Sequence, residues 1–421
     1  MINQNPDDMN NKVLIIGLLW PEPNATAAGT RMMQLIRFFM EQDYQVTFAS
    51  AALRSDLSVD LAELSVLTKN IQLNHAGFDV FIRELDPGIV IFDRFLTEEQ
   101  YGWRVTEACP MAVKILDTED LHFLRKAREM ALDQNNQDIS PYLKNETAIR
   151  EIASMYRCDL SLVISKFEEK LLLTDFNIHP ALVLYLPFLL EHQNPDDLAA
   201  LPRFEQRRHF MTMGNFKHQP NWDAVLNLKK EIWPLIRQKL PKAELHVYGA
   251  YVSEAARQLH NEKEGFMIKG WIADKEQAYH NSRVFLAPLR FGAGLKGKLI
   301  DSMLYGTPSI SSSIGAEGIQ GEMKWNGFVA DKIEDFAQCA INLYEHKQVW
   351  DKAQLDGIKL LNTNFKRSAF EAGFQGRISQ IVHQLKEHRA QNFIGRMLAH
   401  HSLQSTKYLS KWIEAKNANA Q

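Results

Sequence analysis

Apolar residues along the chain come in two rounds of one alternation, a short unbroken run followed by a longer stretch with helical spacing. The first round opens with Val13-Leu14-Ile15-Ile16-Gly17, the kind of run a central parallel strand needs because both of its faces are covered. A loop from Leu18 to Thr30 leads into a helix predicted from Met32 to Gln42, and Val46-Thr47-Phe48 reads as the next strand. Ile71-Gln72-Leu73 is a short strand candidate ahead of an amphipathic helix near Asp79 to Leu85. Ile89 to Phe92, Met111 to Leu116, Leu160 to Ser165 and Val183 to Pro187 complete the round, with a charged helix from Asn145 to Arg157 among them. Glu191 to Arg208 is polar, contains Pro195 and Pro202, and reads as a linker.

The second round runs through strands at His209 to Gly214, Glu244 to Gly249, Phe266 to Ile268, Val284 to Ala287 and Ser309 to Ser311. Asn221 can cap a helix carrying Val225, Leu228, Ile232, Trp233 and Ile236, and a second helix is expected from about Leu295 to Leu304. Glu334 to Glu345 and Val349 to Leu361 are amphipathic helices, and Arg367 to Asn417 is helical nearly throughout, with Phe370, Phe374, Ile378, Ile381, Val382 and Leu385 in one stripe. Strand, loop, helix, strand repeated twice predicts two doubly wound α/β domains, at residues 1–190 and 209–366, with the linker at 191–208 and terminal helices at 367–421.

Ligands of open parallel sheets collect beyond the carboxyl ends of the strands, so polar residues there are the candidates. In the first round these are Gly29 and Arg31, then Asp93-Arg94, then Asp117-Thr118-Glu119-Asp120-Leu121-His122. Structural readings stand beside each: a turn glycine, a surface arginine, acidic N-caps, and for His122 a packing role. Ser165 with Glu168 three residues on has the spacing of a capping box. In the second round Gly214, Asn215, Gly249, Gly270 and Trp271 converge on one rim with a glycine-rich turn, Phe291 to Gly297. That turn sets Gly292, Ala293, Gly294 and Leu295 among Arg290, Lys296 and Lys298, which is anion-binding chemistry because a backbone without Cβ atoms can approach a ligand closely. Lys298 and Asp301 are i and i+3 neighbours on the polar helix face with Ser302, so an ammonium can meet phosphate and a carboxylate can accept from ribose hydroxyls. A tight turn followed by a solvated ion pair accounts for the same residues.

Composition narrows the partners. A formal net charge of −3 gives no whole-chain electrostatic case for nucleic acid, so substrate phosphates must be met by local cations. Cys109, Cys158 and Cys339 are far apart and show no metal-type spacing, which favours a reducing compartment. His400-His401 is a weak metal signal because adjacent helix positions point in different directions, and no clear Asp-x-Asp motif is present. No metal or cofactor is expected. Met1 to Lys12 is polar, without an apolar signal-peptide core, so a cytoplasmic location is expected. Phe393, Ile394, Met397, Leu398, Leu409 and Trp412 leave room for peripheral contact with the inner face of a membrane.

The run PLRFGAGLKGKLIDSMLYGTP, followed by IGAEG, resembles the donor-binding segment of retaining nucleotide-sugar glycosyltransferases of family 4, which have the GT-B fold. The similarity extends through Gly214, Pro220-Asn221, EIWPLI, Gly249 and Gly270-Trp271, covering most of residues 209–319. It implies transfer of a sugar from a uridine or guanosine diphosphate sugar to a glycan or lipid-linked acceptor, terminal helices that cross back onto the first domain, and a leaving diphosphate held by Arg290 or Lys298 and the loop amides. Two departures are visible. Glu119-Asp120 stands where the family often carries a His-Asp pair, with His122 the nearest histidine, and Ala293 replaces the first of two glutamates eight positions apart, Asp301 holding the second. Glu317 is a candidate to supply the missing carboxylate. Asp120, His122 and Lys298 are the catalytic candidates. A nucleotide-sugar epimerase, a sugar phosphorylase, or a non-catalytic partner subunit that keeps the pocket are the alternatives.

Overall fold

The structure, a computed structural model, describes residues 10–418; most of the polar segment at the amino terminus lies outside it. The first sheet is parallel throughout: β1 Lys12–Gly17, β2 Gln45–Ser50, β3 Leu67–Asn70, β4 Ile89–Asp93, β5 Val113–Asp117, β6 Leu160–Val163 and β7 Val183–Tyr185, in the order β3-β2-β1-β4-β5-β6-β7. Alternate residues of the central strands feed two separate cores, Leu14, Ile16, Val90 and Phe92 on one face and Val13, Ile15, Ile89 and Ile91 on the other. This explains why the strands read as unbroken apolar runs. The third strand is Leu67–Asn70 rather than Ile71–Leu73: it lies at the sheet edge, where its largely exposed sequence needs no apolar alternation.

The second sheet repeats the plan with β8 Arg208–Met213, β9 Leu245–Tyr248, β10 Phe266–Gly270, β11 Ser282–Ala287, β12 Ser309–Ser311 and β13 Gly327–Val329, ordered β10-β9-β8-β11-β12-β13. Phe210, Val284 and Leu286 pack on one face, Met211, Phe285 and Ala287 on the other. The helix after β8 starts at Gln219, so Asn221 lies within it and does not cap it. Its middle, Leu228–Ile232, widens into a π turn just before Trp233-Pro234, because a proline ring inside a helix displaces the carbonyl four residues back.

The chain then returns to the first domain. Phe374, Ile378, Ile381 and Leu385 join the core of the Val13 face, with the Phe374 ring 4.6 Å from Phe38. The last helix, Phe393–Ala418, lies on the helices at 94–108 and 146–157, where the buried Arg104 guanidinium donates to Ser410 Oγ at 3.1 Å and pairs with Glu414. Its outer face leaves Phe393, Ile394, Met397, Tyr408, Leu409 and Trp412 exposed. No helix among the described residues is long and apolar enough to cross a membrane. The side chain of His401 lies outside the described residues, and the three cysteines are free thiols.

Candidate active-site cleft

On the first-domain wall, several candidates turn inward. The helix Ala27–Glu41 begins earlier than its periodicity suggests, because Thr26 caps it by accepting from the Gly29 amide at 2.9 Å. Gly29 is packed on the backbone of Glu22; a Cβ there would come within 2.5 Å of the Glu22 carbonyl carbon. Arg31 is buried, its Nε donating to Asp117 Oδ1 at 2.8 Å and its Nη1 to the Leu186 carbonyl at 2.7 Å. It ties β5 to the chain after β7 and is not available to a donor. Gly29 likewise serves packing.

Asp120 is the hub of this wall. Glu119 has a left-handed φ of 63°, and the chain turns there so that Asp120 meets the Arg125 guanidinium and lies 3.3 Å from His122 Nε2. Burial pushes the Asp120 carboxyl up, but Arg125, His122, His218 and Arg94 outweigh it and hold it well below the usual range. Burial, with Arg125 and Arg94, drives His122 down to about 4 against the pull of Asp120, so its imidazole is neutral at pH 7.

The glycine loop of the second domain is docked against that hub. Gly294, at φ 63°, donates its amide to Glu168 Oε1 at 2.7 Å, and the same oxygen accepts from the Leu121 amide at 3.1 Å. A Cβ on Gly294 would fall 2.8 Å from that of Asp120, and one on Gly297 would fall 2.8 Å from that of Ala27. Arg128 clasps the same loop, donating from Nη1 to the Gly292 carbonyl at 2.7 Å and forking onto Glu317 at 2.9 and 2.7 Å. These glycines let two backbones meet, and several readings change accordingly. The Gly294 amide is engaged by a carboxylate, so no phosphate sits on it in this arrangement. Glu317 is held by Arg128 rather than free for a sugar. Ala293 packs against the first-domain core, and Leu295 is buried in the second. Ser165 makes no capping bond, and Glu168, once its capping partner, bridges the domains instead. Arg290 is exposed and forks onto Asp223.

Lys298 is built differently. Its ammonium donates to Asn221 Oδ1, and Asn221 Nδ2 donates to the Asn215 carbonyl at 3.0 Å. A side chain at Gly214 would strike Asn221 at 2.6 Å, and one at Gly249 would strike the Gly214 carbonyl at 2.0 Å. Gly214, Asn215 and Gly249 thus form one support that aims Lys298 at the point where the strand order reverses, between β8 and β11. Burial lowers the Lys298 ammonium to about 7, and Lys296 adds to the shift. Asp301, one turn on, accepts from Lys275 at 2.9 Å, while Ser302 is buried and bonds the Leu299 carbonyl. Gly270 takes a φ of 75°, and Trp271 stands exposed beside it. His218 lies within electrostatic reach of Asp120, Arg125 and Lys298; burial, with Arg125 and Lys298, lowers its imidazole to about 4 against the pull of Asp120, so it stands neutral at pH 7 beside the Arg125 guanidinium and the Lys298 ammonium.

Two parallel sheets, each in Rossmann order, meet through the loops at their carboxyl ends, and solved structures share the arrangement. The fold is GT-B. Anabaena HepE in complex with UDP-glucose aligns at a TM-score of 0.63 with 11% identity, over 88% of this chain and 99% of that one. Sucrose-phosphate synthase of Thermosynechococcus elongatus aligns at 0.64 with 14% identity, over 88% and 98%. A point mutant of S. aureus TarM, in complex with fondaparinux, alpha-GlcNAc-glycerol and UDP, aligns at 0.56 with 12% identity, over 71% of this chain and 57% of that one, so this protein spans little more than half of that TarM chain. Residues 207–346, the second GT-B domain, match the family model of Glycosyl transferases group 1. None of the curated proteins compared with the chain matches it.

Arg125, Arg128, Glu168 and His218 were not among the residues singled out as donor-binding or catalytic. Arg125 and Arg128 sit i and i+3 on a helix whose sequence carries no motif, and Glu168 and His218 acquire their roles only when the other domain arrives.

Proposed function

We propose that the protein is a glycosyltransferase moving a sugar from a uridine or guanosine diphosphate sugar to an acceptor such as a growing surface polysaccharide or a lipid-linked intermediate. The observation that carries the reading is the half-buried Lys298 ammonium, held by Asn221 at the switch point of a domain whose sequence matches group 1. In this reading Lys298 meets the diphosphate with help from Arg125 and His218, the base lies toward Gly270-Trp271, and Asp120 and neutral His122 stand beside the transferred sugar. Departure leaves negative charge on the diphosphate and positive charge on the sugar ring; the ammonium balances the first and the carboxylate the second. The proposal includes retention of configuration by a front-face route, assignment to family 4, and a cytoplasmic setting, and it gives no step to a metal or other cofactor.

The test is binding and turnover of UDP-glucose and its GDP counterpart across pH. A donor that stabilises the ammonium raises its pKa, so affinity is expected to be greatest below pH 7 and to fall by up to about tenfold per pH unit above it, with proton uptake on binding. Calorimetry in two buffers of different ionisation enthalpy measures that uptake; affinity flat from pH 6.5 to 8.5 would remove Lys298 from the site. The engagement of Gly294 by Glu168, together with Ala293, favours a second reading, a partner subunit that binds donor without turning it over. Product analysis with and without acceptor separates the two, and would also reveal an epimerase or phosphorylase.

Peripheral membrane contact is also part of the proposal. The exposed row Phe393, Ile394, Met397, Tyr408 and Trp412, flanked by Lys411 and Lys416, supports it. Wild-type protein is expected to float with anionic vesicles, and a variant with Phe393, Met397 and Trp412 changed to serine is expected to stay behind. Equal flotation of both would end that reading.

A further inference from the structure

The second sheet carries a cluster of metal-ligating side chains at its other end, where β8 and β9 begin. Parallel register sets Phe210 beside Leu245 and Met211 beside His246, so His209 starts next to Glu244. Glu244 and His246, two residues apart, project to the same side of the strand. His246 Nε2 lies 2.7 Å from Glu244 Oε2, the imidazoles of His209 and His246 are 5.2 Å apart at 37°, and one ligand atom from each of the three residues lies within 4.8 Å of the others. His209 takes a left-handed φ of 63°, which for a non-glycine residue must be held in place by its surroundings. Here the backbone amide of Glu244 donates to its Nδ1 at 3.2 Å.

We propose that His209, Glu244 and His246 form a binding site for a divalent d-block cation of the zinc or cobalt class. Two imidazoles and one carboxylate are the donor set such ions favour, and three protein ligands leave a fourth position for water. A tetrahedral ion with nitrogen ligands at about 2.0–2.1 Å needs its donors about 3.3 Å apart, which small side-chain rotations achieve. Coordination replaces the long Glu244-to-His209 hydrogen bond and the Glu244–His246 contact with three metal–ligand bonds. All three residues are half-buried, so an ion can enter without opening the domain. Lys269 and Arg208 lie within electrostatic reach of the imidazoles and weaken a dication, so the site binds less tightly than a four-ligand structural zinc centre. The cluster sits at the amino ends of β8 and β9, while the Lys298 support lies at their carboxyl ends, so the bound ion braces two strand starts and touches no donor.

The experiment uses the full chain, free of any histidine tag and stripped with EDTA, titrated with Co²⁺ and then displaced by Zn²⁺. One equivalent of Co²⁺ is expected to give tetrahedral d–d absorption. Glu244→Gln, which keeps shape and packing, and His246→Ala are each expected to weaken binding at least about tenfold. His260→Ala, at a histidine paired instead with Glu262, is expected to leave it unchanged. Zn²⁺ is expected to raise the Tm of wild type and not of the Glu244→Gln variant, with equal melting of the two in EDTA confirming that both are folded. Wild-type affinity or stoichiometry no different from that of the two ligand variants would overturn the site.

Discussion

Lys298→Met is expected to lose nucleoside-diphosphate-sugar binding by about ten- to a hundredfold while melting at a higher temperature than wild type without ligand. The binding loss follows from one charge-assisted bond to phosphate, worth about 1.5–3 kcal/mol. The gain in stability has the opposite origin. Burial lowers the Lys298 ammonium to about 7, whereas the unfolded chain holds it near the ordinary lysine value, so at pH 7 the unfolded state binds more protons. Folding therefore works against this group at pH 7, and stability rises as pH climbs from 7 toward the unfolded value. Methionine abolishes that cost and fills similar space, leaving Asn221 to bond solvent. A lysine that only braced the Asn221 loop would give the reverse, a lower melting temperature with donor affinity preserved. Differential scanning fluorimetry with and without UDP-glucose reads both quantities in one plate.

What could be read from the chain alone divides along a physical line. Strands buried on both faces announce themselves, because every position must be apolar: Val13 to Ile16 and Ile89 to Phe92 are where their runs place them. Edge strands carry no such constraint. Leu67–Asn70 is polar, and Gly327–Val329 is three residues long beside Trp325-Asn326, so neither leaves a periodic trace. The glycine loop was legible as a place where backbone must approach something closely, but the approaching partner was not. A close approach to phosphate and one to Asp120 or Ala27 demand the same residue type. Partner choice at long range is likewise invisible to spacing: Lys298 and Asn221, within the second domain, are 77 positions apart, and Arg128 and Glu317, across the cleft, are 189. Arg31 misled for a related reason. An arginine near a strand end looks the same in sequence whether it faces a ligand or, as here, neutralises Asp117 inside its own domain.

The departure at Glu119-Asp120 makes Asp120→Asn the sharpest probe of chemistry. Turnover is expected to fall by about 10²–10³-fold, the range seen when one preorganised electrostatic contact to a transition state is removed. Donor affinity is expected to hold or improve. The reasoning turns on sign: the carboxylate favours positive charge developing on the sugar ring, but it opposes the diphosphate already negative in the ground state. Neutralising it should separate kcat from Kd in opposite directions. Asparagine keeps the Cβ that Gly294 packs against, so the docking of the glycine loop survives, and Arg125 keeps an oxygen to which it can donate. Burial alone would raise the Asp120 carboxyl, yet Arg125, His122, His218 and Arg94 hold it below the ordinary range, so it stays ionised at any pH where the protein is assayed. The stability that this lowered pKa contributes is present above the unfolded carboxylate value and is lost as pH falls through the folded one, so the variant's deficit in Tm should shrink on acidification. A purely structural Asp120 would instead weaken donor binding and turnover together. Stopped-flow binding beside steady-state kinetics at pH 7 distinguishes the two patterns, and equal losses in both would take Asp120 out of the chemistry.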